Sequence, residues 1–76
     1  MKGQIFSLIR TKYNTLSSSQ KDVADYILTN PDKVMMNTLN EIAAACRVSE
    51  TTVLRFLHKL NYNSYQLFRI NLTQEL

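Results

Sequence analysis

The chain has 76 residues, 45% of them hydrophobic, and nine Lys and Arg against six Asp and Glu, for a formal net charge of +3. That length accommodates one small domain, which buries only about 60% of the surface its unfolded form exposes, and the apolar fraction argues against disorder. One Gly and one Pro are too few for the turns of a β-sandwich or barrel. One Cys and one His allow neither an internal disulfide nor a metal cluster.

In chain order, the segment from about Lys2 to Tyr13 places Ile5, Leu8, Ile9 and Lys12 at helical spacing, with Phe6 and Tyr13 widening the apolar stripe. Ser17, followed three residues later by Gln20, has the pattern of a capping box. Val23, Tyr26 and Ile27 then repeat on one helical face. Pro31 disfavours a helical Asn30, so this helix is expected to end near Thr29. Pro31 itself suits the first turn of a further short helix over Asp32 to Met36.

Thr38 and Glu41 form a second capping box, with Leu39, Ile42, Ala43 and Cys46 as the stripe that follows. The pattern breaks at Cys46-Arg47-Val48. Ser49 offers the next cap, with Glu50 in the first turn where the helix dipole favours an anion. Val53, Phe56, Leu57 and Leu60 make the next stripe, and Asn61 is a left-handed helix stop. Ser64 caps a last helix carrying Tyr65, Leu67, Phe68, Ile70 and Leu72. The expected fold is all-α, a bundle of about five helices with an extra turn after Pro31. It forms a single homeodomain-like domain over 1–76 with a helix-turn-helix at about 38–60.

The two helices around Arg47 carry the functional argument. Helices that cross steeply need a small residue where their backbones approach, and Ala43 stands there. Ile42, Cys46, Val48, Val53 and Phe56 supply the contacts that fix the crossing, which holds the second helix out where it can enter a major groove about 12 Å wide. At about 100° per residue, Thr51, Arg55 and His58 share the outward face, with Thr52 and Lys59 on its edge. That face carries hydroxyls, a guanidinium, an imidazole and an ammonium, with Glu50 as its one carboxylate. Arg can bond two acceptors on guanine, and Thr can contact a base edge or a thymine methyl. Ser49, Thr51 and the first-turn N–H groups can hold a phosphate. The residues expected to face double-stranded DNA are Arg47, Ser49, Glu50, Thr51, Thr52, Arg55, His58 and Lys59. Lys59, Arg47 and one of Lys21 or Lys33 are expected to supply phosphate contacts.

The rival is a helical protein-interaction or dimerisation module without DNA binding, with Leu54 and the Phe6 side of the first helix as its seam. An enzyme is not expected, because His58 has no carboxylate or nucleophile in a catalytic pattern and the turn is no glycine-rich phosphate loop. Cys46 reads as a small core residue.

Several runs together resemble the N-terminal domain of RpiR-type bacterial transcriptional regulators. They are Leu16-Ser17, Val23-Ala24-Asp25-Tyr26-Ile27-Leu28, Asn30-Pro31, Thr38-Leu39-Asn40-Glu41-Ile42-Ala43, Val48 to Phe56, and Lys59-Leu60. The resemblance covers about Ile5 to Leu76 and is most specific from Val48 to Leu60. It implies a dimeric regulator that binds a DNA operator and controls sugar-phosphate or amino-sugar genes. It also implies a C-terminal sugar isomerase (SIS) domain that binds a phosphosugar effector and is absent here. This chain is then expected to be a fragment of a longer protein and to hold no cofactor of its own. Two positions depart from the family pattern. Arg47 and Asn61 stand where Gly is usual, and Arg47 in a left-handed turn is expected to cost of order 1 kcal/mol. The lone Cys, a start without a signal peptide, and no run of ~20 apolar residues to cross a bilayer all fit a cytoplasmic protein.

Overall fold

The computed structural model describes residues 4–76. Its elements are α1 (Gln4–Lys12), a 3-10 turn (Tyr13–Thr15), α2 (Ser18–Thr29), α3 (Pro31–Met36), α4 (Leu39–Cys46), α5 (Glu50–Lys59) and α6 (Tyr65–Glu75). The expected all-α class holds, with six α-helices among the described residues where about five had been expected. The segment after Pro31 is a helix in its own right, with Pro31 in its first turn, where a missing N–H costs nothing. Of the expected first helix, Lys2 and Gly3 lie outside the described residues. Its far end differs from expectation, because Tyr13 belongs to the 3-10 turn, where the Thr15 hydroxyl donates to the Lys12 carbonyl at 2.6 Å.

Hydroxyl caps set most of the helix starts. Ser17 Oγ accepts from Gln20 N–H at 3.2 Å while Gln20 Oε1 accepts from Ser17 N–H at 3.0 Å. This reciprocal pair also gives the amide oxygen of the buried Gln20 side chain its partner. Ser64 Oγ accepts from Leu67 N–H at 3.1 Å at the start of α6. The α1 N-terminus is served from the far end of the chain, where the Glu75 carboxylate accepts from Ile5 N–H at 2.8 and 3.0 Å. An anion at that end of a helix meets the positive pole of the dipole.

The helices enclose one apolar core. Ile5 and Ile9 of α1, Val23 and Ile27 of α2, Val34 of α3, Ile42 of α4, Val53 and Phe56 of α5, and Phe68 and Leu72 of α6 are all buried. α2 packs against α3, α4 and α5, whereas α6 packs against α1, α3 and α5. Tyr62 and Phe68 meet edge to face at 5.4 Å, an arrangement worth roughly 0.5–1.5 kcal/mol beyond area burial. Two stripes are narrower than expected. In α4, Ile42 and Ala43 are buried while Leu39 and Cys46 are half-buried. In α6, Phe68 and Leu72 point inward, but Leu67 and Ile70 are 47% and 49% exposed, because they lie on the opposite side of a helix with apolar residues on both faces.

Tyr65 fixes α6 to the end of α3, with its hydroxyl within 2.9 Å of Val34 O and 2.6 Å of Asn37 O. Burial pushes its phenol up to about 12. A tyrosine raised on folding favours its neutral form, so its contribution to stability is present below pH 10 and is lost as pH rises toward 12. Tyr65→Phe is expected to cost about 0.5–1.5 kcal/mol at neutral pH and to flatten the alkaline fall. Melting temperatures of both proteins between pH 7 and about 11 check this. Parallel curves would remove Tyr65 as the cause.

Candidate nucleic-acid interface

The interface is built from the caps upward. Thr38 Oγ1 accepts from Glu41 N–H at 3.2 Å and Glu41 Oε1 accepts from Thr38 N–H at 2.8 Å, so α4 begins on the expected capping box. α4 ends at Cys46, and the connection to α5 is Arg47, Val48 and Ser49. The break therefore falls one residue later than the sequence suggested, with Cys46 the last helical residue. Arg47 is left-handed, at φ 59° and ψ 42°. Its N–H donates to Ala44 O at 3.1 Å and the Val48 N–H to Ala43 O at 3.0 Å, the paired bonds of a Schellman stop. Asn61, at φ 68°, does the same after α5, with Asn61 N–H donating to His58 O and Tyr62 N–H to Leu57 O, both at 3.0 Å.

Arg47→Gly is expected to raise stability by up to about 1 kcal/mol, since a left-handed residue with a Cβ is strained and glycine is not. Thermal melts check it, and a lower melting temperature would refute the strain. If Arg47 also contacts a phosphate, affinity falls by a similar factor on every DNA sequence.

Beyond the turn, Ser49 Oγ accepts from Thr52 N–H at 3.1 Å and lies 3.0 Å from Thr52 Oγ1. Ala43 is buried where α4 and α5 pack, with Ile42, Val53 and Phe56 buried around it and Cys46 and Val48 half-buried. Burial, reinforced by Asp22, pushes the Cys46 thiol up, which keeps it protonated and unreactive at neutral pH.

The faces of α5 separate cleanly. Val53, Phe56 and Leu57, together with Leu60 just after the helix, are buried, whereas Thr51, Arg55, His58 and Lys59 are exposed. Glu50 and Ser49 are exposed at the N-terminal end, and Thr52 is half-buried with its hydroxyl turned to the cap. Arg47 is exposed and lines an open hollow with Asp22, Asp25 and Cys46, so its charge sits beside carboxylates as well as facing solvent. Thr51, Arg55 and His58 thus come together on one solvent-facing stripe. Arg47 and Lys59 stand at its two ends.

Lys59 holds a contact that sequence reasoning missed. Its Nζ donates to Thr15 O at 2.9 Å, across 44 positions of chain. Lys21 Nζ lies 5.3 Å from the centre of the Tyr13 ring. The Tyr13 hydroxyl donates to Asp25 Oδ2 at 3.3 Å, and that hydrogen bond raises the phenol above its ordinary range. No local pattern announces these pairings, because they are set by where the 3-10 turn lies against α2 and the end of α5.

Two short capped helices, a three-residue connection opened by left-handed Arg47, and one wholly polar face on the second helix define a helix-turn-helix domain. Comparison with known proteins agrees. The chain matches the family described as helix-turn-helix domain, rpiR family, over residues 3–76, and it belongs to that family. It is 35% identical over 74 residues to a transcriptional regulator of helix-turn-helix type from Haemophilus influenzae, covering 97% of this chain and 26% of that protein. It is 32% identical over 68 residues to the transcriptional regulator HexR of Escherichia coli, covering 90% of this chain and 24% of that protein. A Thermotoga maritima regulator of the same type is 30% identical over 73 residues, covering 95% of this chain and 26% of its own length. The chain spans about a quarter of the length of these curated relatives. No solved structure gives a significant match. The relatives are regulators of transcription, and the domain is of the DNA-binding kind they carry. Among the described residues, no helix is long and apolar enough to cross a membrane.

Proposed function

We propose that this domain binds double-stranded DNA sequence-specifically, with α5 in the major groove, as part of a cytoplasmic regulator. The observation that carries the reading is the division of α5 into a buried apolar face and an exposed stripe of Thr51, Arg55 and His58. Arg55 and Thr51 read base edges, while Thr52, grouped with them by spacing, has its hydroxyl engaged at the cap and supports the helix start instead. Ser49 and the first-turn N–H groups meet a phosphate, and Glu50 can accept from a cytosine amine. Arg47 and Lys59 contact the backbone at either end. Family membership supports a role in sugar-phosphate or amino-sugar gene control, with a phosphosugar bound by a SIS domain beyond this chain and no cofactor within it.

We also propose that the regulator is a homodimer, with half-sites about 34 Å apart on a partly palindromic operator. Leu54 and Phe6, named from the sequence for a seam, both pack against the core. Leu67 and Ile70 on the outer face of α6 are more exposed than either, beside exposed Gln66, Thr73 and Gln74. The apolar pair on an otherwise largely uncharged stripe is what a self-complementary contact between two copies would use, with Arg69 at its margin.

The test is fluorescence anisotropy of a labelled duplex of random sequence, titrated at several salt concentrations. Binding that weakens steeply with salt is expected, followed by enrichment of one motif on selection from a random pool. Absence of binding even at low salt would leave the protein-interaction module standing instead.

A further inference from the structure

The 3-10 turn Tyr13–Thr15 lies outside the helix-turn-helix, yet the ammonium groups of Lys21 and Lys59, from two different helices, reach it and Lys12 leads directly into it. Lys12 ends α1 and leads directly into the turn, its carbonyl accepting from the Thr15 hydroxyl. Lys21 of α2 sits over the Tyr13 ring. Lys59, from the last turn of α5, donates to the Thr15 carbonyl. We infer that this turn is a second DNA-contacting surface, at which Lys12, Lys21 and Lys59 meet the phosphate backbone beside the groove that α5 enters. The inference rests on the reading of α5 given above and extends it to a part of the chain that carries no motif.

The argument is one of position and capacity. The Lys59 bond places the turn at the C-terminal end of α5. When the N-terminal and central residues of such a helix read base edges, its C-terminal end lies against the sugar-phosphate wall. An ammonium group has three donors, so Lys59 can hold Thr15 with one and a phosphate oxygen with another. The Lys21 ammonium sits over the Tyr13 ring at 5.3 Å, a cation–π contact that holds the charge at the turn while leaving its donors free for a phosphate oxygen. Two carboxylates oppose the cluster: Asp25, which accepts from the Tyr13 hydroxyl, and Asp22, whose charge also raises the Tyr13 phenol. Of the two other lysines weighed for phosphate contact, the placement selects Lys21, because Lys33 lies on α3, which packs against α2 and α6. Phosphate contacts of this kind carry affinity and register but no sequence information.

The experiment compares the chain with its Lys12→Gln/Lys21→Gln double variant by anisotropy on one labelled random duplex across a salt series. Each lost phosphate contact lowers the salt slope by about 0.9, so the double variant is expected to lose between about 1 and 2 from the slope. Its preference among duplexes is expected to stay unchanged. Lys12→Arg/Lys21→Arg should restore the slope, Lys33→Gln should leave it as in the parent chain, and Asp25→Asn should tighten binding. An unaltered slope in the double variant, with the parent chain binding normally, overturns the second surface and leaves α5 as the sole contact. Equal loss from Lys33→Gln overturns it too, since the effect would then be net charge rather than place. Failure of the parent chain to bind any duplex instead sinks the reading of α5, and this inference with it.

Discussion

Phe56→Ala is expected to leave little folded protein at 37 °C. The ring is fully buried on α5, in the helix that packs against α2, α4 and α6. Truncation removes its burial and opens a cavity that neighbours close only in part, a combined cost of about 3–5 kcal/mol. Domains are commonly stable by only about 5–15 kcal/mol, and one of this length should lie toward the low end. The loss would therefore consume most of the margin. Circular dichroism melts check it, with Thr51→Ala, an exposed change on the same helix, as the comparison. A melting temperature within a few degrees of the parent would mean that the core can collapse around the gap. The result bears on function because α5 is held in place by the same contacts that Phe56 makes.

Arg55→Ala is the complementary experiment, expected to spare the fold and damage recognition. Arg55 is exposed at the centre of the polar stripe, with Thr51 one turn before it and His58 one turn after. A bidentate guanidinium on guanine is worth roughly 1–3 kcal/mol of discrimination. Affinity for the selected operator should fall by that amount, with preference relaxed at the contacted base pair and random-duplex binding reduced far less. Equal losses on operator and random DNA would reassign Arg55 to the backbone. An unchanged operator affinity would remove it from the interface.

Much of the fold was legible because the chain writes its helix boundaries locally. Ser17 with Gln20, Thr38 with Glu41, Ser49 with Thr52 and Ser64 with Leu67 are all bonds between residues three positions apart, and such pairs can be seen in a sequence. The left-handed stop at Asn61 was legible for the same reason, as was the buried face of α5, whereas that at Arg47 was expected only through the family resemblance, in which Gly is usual there. What escaped depends on partners far along the chain. Glu75 meets Ile5, Tyr65 meets Val34 and Asn37, and Lys59 meets Thr15. The 3-10 turn had no Gly or Pro to mark it. Leu67 and Ile70 misled because periodicity weakens when both faces of a helix are apolar. The exposed face of α5 could be listed from spacing alone. The tie that anchors its far end to another part of the chain could not.

Those local caps also bear on how quickly the chain finds its shape. Helix starts fixed by neighbours three positions away demand few closures between distant segments, and topologies of that kind refold in microseconds to milliseconds. Closure on that timescale is fast compared with the residence of a tight complex, which can run from milliseconds to days. DNA would then act as a thermodynamic reservoir for the folded form, holding it closed in proportion to the affinity. Variants too weak to survive heating alone would be protected while the operator is occupied.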